Sequence, residues 1–305
     1  MNKPFSTILF SGLALLAANA WAAEGRPINE TRPLKADARV SVSNVSGLIE
    51  VEAWGKNEMQ LTGTLAPEVE KLIIEGDANG LTIEVKLPRH SRRSGDTILK
   101  LKVPAGIELE AEGVSADIRA KGLKGPIEAS SVSGDITLDV ASARVEAQSV
   151  SGDVAVTAPT TDVRVETVSG DVTLRGGKGE MRSESVSGTV KVEAREVRRL
   201  DAESVSGDLS FDLQLARDAE VSIETLSGEV VVTLPSLPDL DLDFETFSGD
   251  LESAFGELVS ETHSRTHHDD DEDDDERGKH YRRHGAGKGH MHLQSFSGDI
   301  VLKKK

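Results

Sequence analysis

The sequence predicts an all-β protein, built as a single-stacked parallel β-solenoid (β-helix-like) with 18–21-residue rungs and an N-terminal β cap. A Ser-Gly-Asp motif recurs from Ser133 onward, and successive serines lie 18, 18, 18, 19, 21, 21 and 49 residues apart. Apolar residues recur at fixed offsets from each serine, while aromatic residues make up only 3% of the chain. This period is too short for a propeller blade, so equivalent residues should stack coil upon coil and share one core.

Residues 1–22 are predicted to be a signal peptide. Lys3 precedes an apolar run at residues 5–18, and small residues near its end give Ala-x-Ala cleavage patterns. The run is shorter than the ~20 residues that span a bilayer, so we expect no membrane-spanning anchor. The expected location is therefore the periplasm, with secretion or the outer surface as alternatives. Residues 23–37 are assigned to a linker.

Residues 38–113 are predicted to form the N-terminal β cap and the first rungs. The segments at residues 40–42 and 81–85 alternate between apolar and polar side chains, as half-buried strands do. Asn79-Gly80 suits a tight hairpin turn between two such strands.

Residues 114–260 are predicted to contain the solenoid repeats. In each rung the Gly should form the tight bend, because it tolerates a positive φ and close approach of a neighbouring backbone. The residues assigned to these structural turns are Ser133, Gly134, Asp135, Ser151, Gly152, Asp153, Ser169, Gly170, Asp171, Ser206, Gly207, Asp208, Ser248, Gly249, Asp250, Ser297, Gly298 and Asp299.

Side-chain parity predicts which residues face the core. The residues one before the serine and three and five after it are apolar and share one parity, so all three columns are predicted to point inward. This places Val150, Val168 and Val186 in one buried file, with Phe247 and Phe296 at the same position in later rungs. The apolar columns four and six residues before the serine have the opposite parity. A corner should therefore switch the inward face just before the serine.

The Asp of the motif and a Glu column three residues before the serine are predicted to face outward. Stacked carboxylates repel by on the order of 1 kcal/mol per neighbouring pair. Hydrogen bonds from turn N–H groups to these side chains would offset that repulsion. A Ca²⁺ ladder is the alternative, but the Gly-Gly-x-Gly-x-Asp pattern of calcium-binding solenoids is absent, which argues against Ca²⁺.

Residues 261–292 are predicted to be a disordered insertion, since they contain seven of the eight histidines, an acidic run and almost no apolar residues. Imidazole and carboxylate groups here would capture Zn²⁺, Ni²⁺ or Cu²⁺ weakly. The alternative is a solvated, self-neutralising loop, and no other cofactor is expected. The candidate ligands are His263, His267, His268, Asp269, Asp270, Asp271, His280, His284, His290 and His292.

Residues 293–305 are assigned to the final rung and a basic tail. The lysines at residues 303–305 should discourage edge-to-edge pairing of that end of the stack with another copy. The oligomeric state is left open.

Three stretches of sequence resemble a known family. Val-Pro-Ala-Gly-Ile-Glu-Leu at residues 103–109, Gly-Val-Ser-Ala-Asp-Ile at 113–118 and the repeated Val-Ser-Gly-Asp turns are similar to the bacterial putative-adhesin family of exported β-solenoids, a domain of unknown function. The likeness covers roughly residues 38–302 and implies a right-handed β-helix-like stack in the cell envelope. Ala116 and Thr189 depart from the Gly and Asp of the motif.

Composition narrows the functional classes. The chain has no Cys, which excludes disulfides and thiolate sites, and its net charge of -18 disfavours nucleic acid. Carboxylate pairs such as Glu166 and Asp171 recur from rung to rung without basic groups at matching offsets, so no catalytic residue is assigned. We expect a non-enzymatic envelope protein that binds or scaffolds an envelope protein or polysaccharide. The alternatives are a metal-associating envelope-stress accessory protein and a polysaccharide-acting β-helix enzyme.

Overall fold

The computed structural model describes residues 25–88, 95–159, 162–236, 239–256, 259–260 and 279–305. The predicted signal peptide and residues 261–278 of the insertion lie outside these ranges. Across the described ranges the regular structure is β-strand, and no helix is long and apolar enough to cross a membrane.

The strands follow one another along the chain with short connections. Their bounds are β1 (Arg26–Pro33), β2 (Arg39–Trp54), β3 (Glu58–Leu65), β4 (Lys71–Asp77), β5 (Gly80–Lys86), β6 (Thr97–Pro104), β7 (Glu108–Lys121), β8 (Ile127–Ser131), β9 (Ile136–Asp139), β10 (Arg144–Ser149), β11 (Val154–Ala158), β12 (Asp162–Ser169), β13 (Val172–Gly176), β14 (Glu180–Ser187), β15 (Val190–Ser206), β16 (Leu209–Ser227), β17 (Val230–Leu234), β18 (Asp241–Thr246), β19 (Leu251–Ser253), β20 (Val259–Ser260), β21 (Lys279–Arg283), β22 (His290–Ser297) and β23 (Ile300–Lys304).

Each rung consists of two short strand segments joined at the Ser-Gly-Asp corner. The first segments pair in parallel with one another through β8, β10, β12 and β14, and the second segments do so through β9, β11, β13 and β15. Each residue pairs with the equivalent residue of the next rung, as in Val145↔Val163 and Val154↔Val172. Equivalent side chains therefore lie directly over one another, and the architecture is a β-solenoid.

Most of the predicted core columns are confirmed. The residues three and five after the serine, such as Val172 and Leu174, are buried in nearly every rung, with Leu251 half-buried at one end. The residues four and six before it, such as Val165 and Val163, are buried as well. One contiguous apolar core runs the length of the stack.

The column one residue before the serine is exposed, which makes the prediction of a buried file wrong. Val150, Val168 and Val186 lie over one another but are 44%, 46% and 45% exposed. Phe247 and Phe296 occupy the same column and are exposed too, whereas Phe211 and Phe244 are buried in the core. The switch of the inward face lies one residue later than predicted, between this column and the serine.

Close backbone packing explains the shift. A Cβ added to Gly152 would lie 2.1 Å from the carbonyl oxygen of Gly134, and one on Gly170 would lie 2.3 Å from that of Gly152. The corner interior is thus filled by backbone, together with the small buried hydroxyl residue two positions before the serine. An apolar side chain of valine size has no space inside and must point to solvent.

The rungs at both ends are stacked out of chain order. β2 lies between the β5–β6 rung and β7. At the other end, β22 and β23 lie between the β16–β17 rung and the β18–β19 rung. The lysines at residues 303–305 therefore follow an interior rung, and the prediction that they protect the end of the stack is wrong.

Antiparallel strands complete both ends. β4 pairs with β5, while β3 pairs with β6 and β1 pairs with β3. At the other end β21 pairs with β18, and β20 pairs with β21. Two predicted assignments differ here: β1 lies in the predicted linker, and β21 and the start of β22 lie in the predicted disordered insertion. Both segments gain order because a neighbouring edge strand satisfies their backbone groups.

Candidate functional site

A groove follows the corners of successive rungs on the outside of the stack. Its volume is about 850 Å³, and three files of equivalent residues line it. We call it the corner groove. Its apolar file comprises Val132, Val150, Val168, Val186, Val205, Leu226 and Phe296.

The apolar file is continuous because consecutive rungs are in register. Ser169 N–H donates to the Val150 carbonyl oxygen at 2.9 Å, and Ser151 N–H donates to that of Val132 at 2.9 Å. The file extends past the groove to Phe247, whose ring stacks on Phe296 with centroids 4.8 Å apart and planes 4° from parallel. Each rung therefore contributes one exposed aliphatic or aromatic side chain to the same line.

The second file consists of buried hydroxyl residues behind the apolar file. Ser131 and Ser149 accept hydrogen bonds from Gly134 N–H and Gly152 N–H, each at 2.9 Å. Within the described ranges, the hydroxyls of Thr167, Ser185, Ser204 and Ser295 in this file have no hydrogen-bond partner. The hydroxyls thus belong to the corner interior and support the groove from behind.

The third file is acidic and forms the other wall. The ionisable residues among the groove-lining residues are Glu166, Glu184, Glu203 and Glu224. Basic groups do accompany this column, contrary to the prediction. Arg164 Nε lies 2.6 Å from Glu166 Oε1, and Arg182 Nε lies 2.6 Å from Glu184 Oε1.

The arginines link neighbouring rungs. Arg182 Nη1 also lies 3.0 Å from Asp201 Oδ2, and Nη2 lies 3.4 Å from Glu203 Oε1. The hydrogen bond to Glu184, with the charges of Glu184, Asp201 and Glu203, raises the pKa of Arg182 above its ordinary value. Exposed pairs of this kind contribute little stability individually. They set the position of the acidic wall and neutralise part of its charge.

The Asp residues of the motif form a hydrogen-bonded ladder. Asp153 N–H donates to Asp135 Oδ1 at 3.0 Å, and Asp171 N–H donates to Asp153 Oδ1 at 2.9 Å. Thr189 N–H donates to Asp171 Oδ1 at 2.8 Å, so the departure at Thr189 keeps the corner but supplies no carboxylate to the next rung. The predicted hydrogen bonds from turn N–H groups to the Asp carboxylates are confirmed.

A second cluster lies where β21, β18 and β22 are adjacent. His280 Nε2 is 2.5 Å from Asp243 Oδ1 and 3.1 Å from Glu245 Oε1. His292 Nδ1 is 3.9 Å from Asp243 Oδ2, and its ring lies parallel to that of His290 at 6.5 Å. This cluster combines imidazole and carboxylate groups from three strands.

The predicted metal ligands are thus divided by the structure. His263, His267, His268, Asp269, Asp270 and Asp271 lie outside the described residues. His280, His290 and His292 meet around Asp243, whereas His284 is exposed and lies 3.6 Å from Asp241. Sequence reasoning missed Asp243 and Glu245 because they precede the histidines by about forty residues, and only the pairing of β18 with β21 and β22 brings them together.

Comparisons with solved structures return proteins of low identity. A putative adhesin from Bacteroides fragilis NCTC 9343 is 13% identical, with 91% of this chain and 97% of that chain covered and a TM-score of 0.46. A putative lipid binding protein from Parabacteroides distasonis ATCC 8503 is 11% identical, with 92% and 98% covered and a TM-score of 0.40. A search of curated proteins finds no significant match.

The family comparison covers most of the sequence. The family model described as Toastrack DUF4097 matches residues 33–175 and residues 81–303, which together include every rung of the stack. The matches span far more than half of the chain, so the chain belongs to the Toastrack DUF4097 family.

Proposed function

We propose that this protein is an exported, non-enzymatic binding protein whose corner groove holds an extended polypeptide segment with apolar and cationic side chains. The observation that carries the proposal is the continuous apolar file, in which each rung exposes 44–52% of a Val, Leu or Phe side chain. Contiguous exposed apolar surface rimmed by polar groups is typical of interaction sites.

The apolar file can supply useful binding free energy. Fully burying a Val, Leu or Phe side chain contributes about 1.5–3 kcal/mol, so covering a half-exposed one contributes about 1 kcal/mol. Several rungs contacted together offset the cost of ordering an extended partner. A partner that touches a single rung would gain too little, which favours an elongated ligand along the groove.

The acidic wall selects the charge of the partner. Glu166, Glu184, Glu203 and Glu224 line one side, and the chain as a whole has a net charge of -18. Cationic side chains beside an apolar stripe complement this surface, and electrostatic complementarity increases association rates and specificity. An acidic polymer would be repelled.

The aliphatic character of the file favours a polypeptide over a polysaccharide. Valines occupy five of its seven positions in the groove, and the rings of Phe247 and Phe296 are confined to one end. Envelope polypeptides present aliphatic side chains that pack against valine, whereas flat sugar faces suit aromatic platforms. The carboxylates recur from rung to rung without a unique reacting constellation, which supports binding over catalysis.

Binding of defined peptides tests this function. Fluorescence anisotropy with labelled peptides of mixed Lys and Val composition should give saturable binding that weakens with salt, while matched Glu and Val peptides should not bind. The triple variant V150S/V168S/V186S should weaken binding at least ~10-fold, since the three valines together contribute about 3 kcal/mol of apolar contact and tenfold corresponds to about 1.4 kcal/mol. The control T137A/T173A changes the outer face of β9 and β13 instead.

Two results would contradict the proposal. Equal peptide affinity of the triple Ser variant and the wild-type protein would exclude the apolar file as the binding surface. Equal binding of the acidic and basic peptides would exclude selection by the acidic wall. Circular dichroism of each variant confirms that it is folded. Export is tested separately by the intact mass of protein from the periplasmic fraction, which should lack about the first 20–22 residues.

A further inference from the structure

We propose that His280, Asp243 and Glu245 form a binding site for one Zn²⁺ ion, which fixes β21 to the end of the stack. This site is separate from the corner groove and does not rest on the proposed function. It joins a strand at the edge of the insertion to a rung of the solenoid.

Strand register brings the three ligands together. β21 runs antiparallel to β18, with His280 directly opposite Glu245. Asp243 lies two residues before Glu245 and so projects from the same face of β18. All three ligand atoms lie within 4.8 Å of one another. Neither a loop rearrangement nor a change of strand pairing is needed to assemble them.

The donor atoms suit zinc. One imidazole nitrogen and two carboxylate oxygens are ligands that Zn²⁺ binds at about 2.0–2.2 Å, with water completing a tetrahedron. His280 Nε2 is 2.5 Å from Asp243 Oδ1 and 3.1 Å from Glu245 Oε1, so small rotations of the three side chains open room for the ion. The side chains of His280 and Asp243 are only 20% and 18% exposed, which limits competition from water.

The local charges favour a cation. The carboxylates of Asp243 and Glu245 lie together beside the His280 imidazole, and among the described residues they outnumber the one guanidinium next to them, that of Arg282. Arg282 Nε lies 3.5 Å from Asp243 Oδ1, so this ion pair must loosen when the ion binds.

His292 lies on the other side of Asp243 and provides an internal comparison. Its Nδ1 is 3.9 Å from Asp243 Oδ2, and it belongs with His290 to a second group around the same carboxylate. We assign His292 to positioning Asp243, because neighbours that orient a ligating carboxylate raise metal affinity. Its loss should weaken binding less than loss of His280.

Zinc titration of the full-length, untagged protein tests the site. Isothermal titration calorimetry should show one site that survives in H263A/H267A/H268A, which removes the three histidines of the insertion that lie outside the described residues. In that background H280A should weaken Zn²⁺ binding more than ~100-fold, since loss of a mere positioning neighbour costs about 10–100-fold. H292A should fall within that smaller range, and H284A is the matched control with no effect.

A structural readout separates this site from adventitious binding. Zn²⁺ should slow amide hydrogen exchange in residues 279–283 of the wild-type protein and not in H280A. D243N removes the charge of the shared carboxylate and should abolish both the binding and the protection. The proposal is overturned if H280A binds Zn²⁺ like the wild type, if H292A is the more severe variant, or if binding disappears in H263A/H267A/H268A alone.

Discussion

The glycine of each corner determines where the preceding apolar residue must lie. Its α-carbon approaches the carbonyl of the rung beneath so closely that a Cβ has no space. The interior of the corner is therefore occupied by backbone and a small hydroxyl residue, and the valine points outward. A structural requirement of the backbone thereby produces the exposed apolar file.

Substitution of Gly152 tests this requirement. Gly152→Ala would place a Cβ 2.1 Å from the Gly134 carbonyl oxygen, so both rungs must separate. We expect the free energy of unfolding to fall by about 3 kcal/mol, the upper part of the range for overpacking. Urea denaturation followed by circular dichroism provides the measurement.

Gly55→Ala is the matched control for this substitution. Its added Cβ has nothing within 4 Å, so the change in stability should stay within about 0.5 kcal/mol. Equal stabilities for the two variants would show that the corner relaxes without cost and would remove the explanation for the outward valines.

Sequence alone predicts correctly which residues are buried when they lie in the middle of a strand segment. The columns three and five after the serine are buried as predicted, because residues of one parity in a strand project from the same face. It fails at Val150 and Val168, because parity does not indicate at which residue the chain bends. The corner glycine, which every rung but that of Ala116 contains, was the available signal, since it marks the point of closest backbone contact.

At the scale of the element, the order of strands differs from the order of the chain. The β22–β23 rung inserts between the β16–β17 and β18–β19 rungs and pairs with both. Leu293, Met291 and Ile300 are fully buried there. This rung therefore connects the last rung, β18–β19, to the rest of the core.

A cavity in the inserted rung should loosen the rung beyond it. Leu293→Ala should cost about 2–5 kcal/mol, the usual range for a buried Leu, and hydrogen exchange should accelerate in residues 241–246. Leu174→Ala is the control, because Leu174 is equally buried in a rung stacked in chain order. If Leu174→Ala deprotects residues 241–246 as much, the local role of the inserted rung is refuted.

The out-of-order rungs were not predictable from the repeat. The motif around Ser297 fits either the end of the stack or its interior, because every rung presents the same pairing edges. The order of the chain favoured the end of the stack, since a rung placed directly beyond its predecessor needs the shorter connection. The metal cluster was hidden for a related reason, because Asp243 and His280 are 37 residues apart in sequence and become neighbours only where β21 pairs with β18. Such a separation gives no local signal of that contact.

At the scale of the whole molecule, electrostatic repulsion destabilises the stack, whereas hydrogen bonds between rungs stabilise it. The chain has a net charge of -18, and the Asp ladder places carboxylates one above another. A charge this far from zero destabilises a compact state through self-repulsion. The ladder remains favourable because each carboxylate also accepts a backbone N–H.

Salt should therefore raise the thermal stability. Raising NaCl from about 0.01 M to 0.15 M shortens the Debye length from about 30 Å to 8 Å, which screens the repulsion between exposed rungs. We expect the melting temperature to rise by several degrees in calorimetry. The variant D135N/D153N/D171N keeps an acceptor oxygen in each of the three rungs but removes the three charges. The rise of its melting temperature with salt should therefore be clearly smaller than that of the wild-type protein. A melting temperature that falls with salt would mean that the arginine pairs dominate.

The position of the β22–β23 rung also has a consequence for biosynthesis. Residues 241–253 leave the ribosome before residues 290–304 do. Until then the β16–β17 rung lacks its final neighbour, and the core remains open at an unpaired strand edge. Assembly of this region must therefore wait for residues 290–304, and a nascent or prematurely terminated chain would present an unpaired strand edge to other chains and to quality-control proteases.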